Sequence, residues 1–137
     1  MYQLNYRSQA RKDLQMKDLE AILSSANLTN TAFDISGCLI FHNGYFLQIL
    51  EGDKEDVLAK KKKIKKDSRH EAVTLLGESV VEKRTFPEWN MAYHEPEDKS
   101  MRQFVHNLIL VAEFSGKSSE SIKSFWLEVR KILLGGK

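Results

Sequence analysis

Residues 37–52 read GCLIFHNGYFLQILEG, and this stretch restricts the fold more than any other. Two apolar runs, Gly37 to Phe41 and Tyr45 to Leu50, flank His42-Asn43-Gly44. An Asn-Gly pair supplies the positive φ angles of a two-residue hairpin turn. The spacing therefore predicts two antiparallel strands that turn at Asn43-Gly44. Successive side chains on a strand point to opposite faces, and both runs are apolar at consecutive positions. Such strands sit in the middle of a sheet that is covered on both sides.

The flanking patterns supply the covering layers. Tyr2 to Ser8 alternates Tyr2, Leu4 and Tyr6 with Gln3, Asn5 and Arg7, which predicts a first strand. Behind Asp13 as a cap, Met16, Leu19, Ile22, Leu23 and Ala26 share one helical face. Asn27 to Asp34 reads as a polar turn. A second helix is expected from Asp53, its cap, to about Asp67, with Val57, Leu58 and Ile64 as a sparse apolar stripe. Ala72 to Val81 and Phe86 to Tyr93 read as two more strands. The order β-α-β-β-α-β-β predicts an α+β fold: a ferredoxin-like mixed five-stranded sheet with two helices on one face.

Two further helices are expected to form a C-terminal helical hairpin. The first, from about Glu97 to Phe114, carries Met101, Phe104, Val105, Leu108 and Ile109 and ends at Gly116. The second, capped by Ser118 or Ser119, presents Ile122, Phe125, Trp126, Val129, Ile132 and Leu133 and stops at Gly135-Gly136. This hairpin is a layer for the sheet's other face, an oligomer contact, or both.

Composition narrows the class. With 137 residues, 42% hydrophobic and 29% charged, the chain suits one domain with a sizeable core. Its net charge of +2 gives no general attraction to nucleic acid or to a membrane surface. Cys38 is the only cysteine, so an internal disulfide and a cysteine-based metal site are excluded. His42, His70, His94 and His106 lack ligand spacing. No run reaches the length of a membrane span, and MYQLNYRSQARKD has no apolar signal core. The expectation is a cytoplasmic protein. The lysines at 60–63, 65 and 66 read as the solvated face of the second helix, with cations toward its C-terminal end as the dipole favours.

Within the hairpin, Gln48 shares a face with Phe46 and Leu50. A buried amide left unsatisfied costs on the order of 1–3 kcal/mol, so it must find partners. Taken alone, it bonds nearby backbone or water. Taken with a hydroxyl and a heteroaromatic ligand, it is a switchable bridge, because one end accepts and the other donates. Tyr6, on the apolar face of the first strand, is the natural hydroxyl, though alone it reads as a core tyrosine. Asn30 alone reads as a turn residue, and Trp89 and Met91, two apart on the last strand, as packing on one face.

Together these residues resemble a known family, the BLUF domains, which sense blue light with a flavin. The resemblance runs through NYRS at 5–8, Asn30, SGCLIFHNGYFLQILEG at 36–52, KKDSRH at 65–70 and RTFPEWNMAY at 84–93. It covers about residues 1–95. Thr29 departs from it, since some members have histidine there.

The resemblance implies FAD as cofactor, with FMN able to fill the same site, its ring system inserted between the two helices and edge-on to the sheet. Asn30 would bond the pyrimidine edge, and Ile22 and Ile64 would sandwich the rings. Arg69 and His70 would lie near the ribityl-phosphate side or the far ring. Tyr6 and Gln48 would be the photoactive pair: Tyr6 supplies an electron and a proton, the proton passes through Gln48, and Gln48 changes tautomer or rotamer. Trp89 and Met91 would relay the change. Residues 96–137 would form a two-helix cap for oligomerisation and output, the partners being further copies of the chain (dimer or larger) and a downstream protein. The implied function is non-enzymatic photoreception. The alternative reading is a small flavin-dependent oxidoreductase, which would need substrate space beside the flavin.

Overall fold

The computed structural model describes residues 1–67, 70–96, 99, 102, 103, 105, 106 and 120–135. The chain runs β1 (Tyr2–Ala10), α1 (Met16–Ala32), β2 (Ser36–His42), β3 (Tyr45–Gly52), α2 (Lys54–Lys66), β4 (His70–Val80), β5 (Ala92–His94) and α3 (Glu120–Leu133). The strands form one five-stranded sheet in the order β4-β1-β3-β2-β5. All neighbours are antiparallel except β2 and β5, so the sheet is mixed and ferredoxin-like as expected. The β2–β3 hairpin turns at Asn43 and Gly44, with φ of 50° and 79°.

Both helices after β1 and β3 cover one face. Leu19, Ile22 and Ala26 of α1 and Val57 and Ile64 of α2 pack on Tyr2, Leu4, Tyr6, Leu39, Phe46 and Leu50. The other face carries a second core, in which Ile122, Phe125, Trp126 and Val129 of α3 meet Cys38, Ile40, Leu47, Ile49, Leu76 and Phe86. That explains why β2 and β3 are apolar on both sides. Gly135, at φ 78°, follows the end of α3, and its N–H donates to the Ile132 carbonyl at 3.0 Å. Ile132 itself is exposed rather than part of the buried stripe. Of the other expected C-terminal helix, Lys99, Arg102, Gln103, Val105 and His106 are helical; Met101, Phe104, Leu108, Ile109, Gly116 and the serine caps lie outside the described residues.

Three expectations need correcting. The helix α1 continues to Ala32, through the stretch expected to be a turn, because its polar side chains bond back along the helix. Asn27 donates to the Leu23 carbonyl (3.0 Å), Thr29 to Ser25 (3.0 Å) and Thr31 to Asn27 (2.7 Å). Its N-cap is Gln15, whose N–H donates to the Asp18 carboxylate at 2.9 Å, while Asp13 pairs with Arg11. Finally, residues 86–91 are not a strand. Pro87 cannot donate to a sheet ladder, the chain turns there, and β5 is confined to Ala92–His94.

Gly37 is required by close approach. A Cβ at this position would lie 2.0 Å from the Ile49 carbonyl oxygen. Gly37→Ala must push β2 and β3 apart, and overpacking of this kind costs about 1–3 kcal/mol or more. Urea denaturation is expected to show a loss of at least that size.

Candidate functional site

The antiparallel register places Tyr6 directly opposite Gln48, and Gln48 opposite Leu39. Extended to the edges, the row reads Leu75, Tyr6, Gln48, Leu39, Tyr93 on the helix-covered face. Directly opposed side chains approach within about 4.5–5.5 Å at Cβ, so Tyr6 and Gln48 are neighbours by construction. Both are buried.

Above Gln48, α1 and α2 part to leave a cleft of ≈ 120 Å³. Ile22, Ser25, Ala26 and Thr29 line it from α1, Lys60, Lys63 and Ile64 from α2, with Asp67 at its end and Gln48 on its floor. Ile22, Ala26 and Asn30 recur every fourth residue, which places them along one stripe of α1. Asn30 is fully buried; its Nδ2 donates to the Asn90 carbonyl at 2.9 Å. Gln48 Nε2 donates to Met91 Sδ at 3.5 Å.

Among the described residues, neither the Tyr6 hydroxyl nor Asn30 Oδ1 has a hydrogen-bond partner. Two orphaned polar atoms on one buried face, a donor and an acceptor, call for a ligand that offers both. A flavin ring system fits. It is flat and apolar enough for the Ile22 and Ile64 walls, and its edge carries an N–H beside carbonyl and ring-nitrogen acceptors. Burial, aided by the Asp67 carboxylate, pushes the Tyr6 phenol well above its ordinary pKa, so its proton stays available for donation.

The structure thus brings together Tyr6, Gln48, Ile22, Ile64, Asn30 and Met91. It separates Trp89 from Met91: Met91 packs in the core with Tyr6, and Trp89 packs on the opposite face with Phe86. The expectation that these two share a face is therefore corrected; period-two alternation does not apply in a turn. Arg69 lies outside the described residues. His70 opens β4 opposite Ala10, and its side chain is outside the description.

Several residues escaped the sequence reading. Asn90 holds Asn30 through its carbonyl and donates from Nδ2 to the Ile35 carbonyl at 3.0 Å. Glu51 is fully buried and accepts bonds from residues of three segments. Asp67 stands at the Tyr6 end of the cleft. No cluster of metal-ligating side chains and no helix long and apolar enough to cross a membrane occurs among the described residues.

Comparison with known proteins agrees with this geometry. The family model described as sensors of blue light using FAD matches residues 1–92. The beta subunit of a photoactivated adenylate cyclase from Euglena longa is 36% identical over 89 residues, covering 64% of this chain and 10% of that protein. The chain spans about a tenth of the length of the first such relatives. The blue light- and temperature-regulated antirepressor of Escherichia coli K12 is 40% identical over 67 residues, covering 49% of this chain and 17% of that protein. A structure of BlsA in its photo-activated state superposes with a TM-score of 0.80 at 28% identity, covering 94% of each chain. With Tyr6 set opposite Gln48, the floor of a two-helix cleft, and the family model matching residues 1–92, one assignment is left: this is a BLUF protein, a member of the family that senses blue light using FAD.

Proposed function

We propose that Gln48 is the light-operated switch of this chain and that Met91 is the first residue to read it. The observation that carries the reading is the register pair Tyr6–Gln48, with the Tyr6 hydroxyl unpartnered and Gln48 Nε2 already committed to Met91 Sδ. Bound FAD supplies absorption of blue light and, once excited, a strong oxidant. Tyr6 would supply one electron to the excited flavin and its phenolic proton by way of the Gln48 amide, and would take both back as the pair recombines, leaving only Gln48 rearranged. Gln48 has an acceptor at one end and donors at the other, so a change of rotamer or tautomer exchanges them. Asn30 Oδ1 would accept from the pyrimidine edge, and Ile22 and Ile64 would hold the ring and exclude water.

Each neutral hydrogen bond exchanged is worth about 0.5–1.5 kcal/mol. Coupling between sites is typically about 1–3 kcal/mol, so one or two bonds suffice to bias the fold. The route outward runs through residues 84–91, which touch the site through Asn90 and Met91 and touch α3 through Phe86 and Glu88. Phe86 meets Trp126 edge-on with centroids 5.9 Å apart, and Glu88 pairs with Arg130. Residues 1–95 sense, and residues 96–137 deliver the output to a second copy of the chain or to a downstream protein. Cyclase chemistry is not carried over, because the matched stretch is a tenth of that relative.

The test is an absorption spectrum of the purified protein before and after blue light. The expected result is a yellow protein whose visible bands shift slightly to the red and return in darkness. A flavin-loaded protein with no shift overturns the reading.

A further inference from the structure

The apolar run of β3 contains two buried polar side chains, Gln48 and Glu51, three residues apart and so on opposite faces. Gln48 faces the cleft. Glu51 faces the side covered by α3, where its cross-strand partners are Gln3 and Ser36. Its carboxylate is fully buried and saturated with donors. Oε1 accepts from the Phe86 N–H at 2.7 Å and Ser36 Oγ at 3.2 Å; Oε2 accepts from the Thr85 N–H at 2.5 Å and Gln3 Nε2 at 3.1 Å. Arg84 sits behind this group, donating Nη1 to Ser36 Oγ at 2.8 Å and to the Glu51 carbonyl at 3.1 Å. Its Nη2 reaches the Asp34 carbonyl at 2.6 Å.

Two of these donors are backbone N–H groups of the segment that ends at the switch. Residues 84–91 are therefore fastened to β3 twice. At one end, two short backbone N–H bonds, at 2.5 and 2.7 Å, hold Thr85 and Phe86 to the Glu51 carboxyl group. At the other, Met91 is tied to β3 by an N–H···S bond from Gln48 at 3.5 Å, and a thioether sulfur is a weak acceptor. Between them the Gly37 N–H donates to the Trp89 carbonyl at 3.2 Å. Asn90 is tied to Asn30 and Ile35, and Ala92 pairs with Cys38, so the grip on Thr85 and Phe86 acts together with these ties in setting where Met91 stands.

We propose that Glu51 is a positioning residue for the photoswitch: by gripping the Thr85 and Phe86 amides it fixes where Met91 is presented to Gln48. This rests on Gln48 being the switch. A held Met91 is a ready acceptor for Nε2, so it favours return to the arrangement seen here. A loosened Met91 removes that advantage and lengthens the life of the illuminated form. Glu51 touches neither Tyr6 nor the cleft, so flavin binding and the size of the shift are not its business.

The experiment uses the full chain loaded with FAD and follows the rate of return in darkness. Glu51→Gln keeps the shape but turns an amide NH2 toward a backbone donor. The expected result is an unchanged red shift and a return about three- to tenfold slower, the equivalent of one neutral hydrogen bond. Combined with Met91→Ala, the substitution should add nothing to the rate of Met91→Ala alone, because both remove the same contact. Ser36→Ala leaves both backbone grips and tests the same idea if Glu51→Gln does not fold; a smaller slowing, again absent with Met91→Ala, is expected. An unchanged or faster return in these variants, or a slowing that persists with Met91→Ala, overturns the proposal. A wild type that binds FAD without any light-induced shift overturns the Gln48 reading itself.

Discussion

Gln48→Leu is expected to yield a yellow protein that no longer answers to light. Leucine matches the glutamine closely in shape, and the neighbours on that face, Leu39, Phe46 and Leu50, are apolar. The one bond lost is to the Met91 thioether, a weak acceptor that is tolerated without a donor, so stability should change by less than about 1 kcal/mol. Ile22, Ile64 and Asn30, the proposed flavin contacts, are unchanged, so flavin binding is expected to persist. What disappears is the amide that stands opposite Tyr6 in the register and donates to Met91 Sδ. The measurement is a difference spectrum, illuminated minus dark, on the flavin-loaded variant. Tyr6→Phe should give the same null from the other side of the pair, since it removes the proton while keeping the ring. A red shift of wild-type size in either variant would place the switch elsewhere.

The site was legible where one residue type had to do one job in a regular element. Asn43-Gly44 located the hairpin, the alternation of Tyr2, Leu4 and Tyr6 gave the face of β1, and the antiparallel register then had to set Tyr6 beside a residue of β3. It was less legible where polar residues sat in regular structure. Asn27, Thr29 and Thr31 suggested a turn because such side chains compete with helical backbone; here each bonds the carbonyl four residues back and the helix continues. Asn30 consequently points from a helix into the core rather than from a loop.

Residues 86–91 misled for the opposite reason. Their apolar content suggested a strand, but Pro87 breaks the ladder and the chain sends Phe86 and Trp89 to one face and Met91 to the other. Glu51 was missed although the signal that exposed Gln48, a polar residue in an otherwise apolar strand, was present three positions on. Only the three-dimensional path of residues 84–86 shows that its carboxylate has donors to meet.

Trp126→Ala tests whether α3 is an appendage or part of the receptor's core. Trp126 is 2% exposed and packs edge-to-face with Phe86 and, at 5.1 Å between centroids, with Phe125. Truncating a buried tryptophan costs about 3–5 kcal/mol. The loss falls on the second core, which shares Cys38, Ile40, Leu47 and Ile49 of β2 and β3 with the strands that carry Leu39 and Gln48 on their other face. One sheet cannot lose the cover of one face and keep the geometry of the other. Urea unfolding followed by far-ultraviolet circular dichroism and by flavin absorbance should therefore show both midpoints moving down together, by an amount equivalent to about 3–5 kcal/mol. If α3 were independent, helical signal would be lost at low urea while flavin release stayed at the wild-type midpoint. Coincident transitions would mean that light-driven change at Gln48 and the packing of α3 draw on one cooperative unit, as a signal passing through a shared sheet requires.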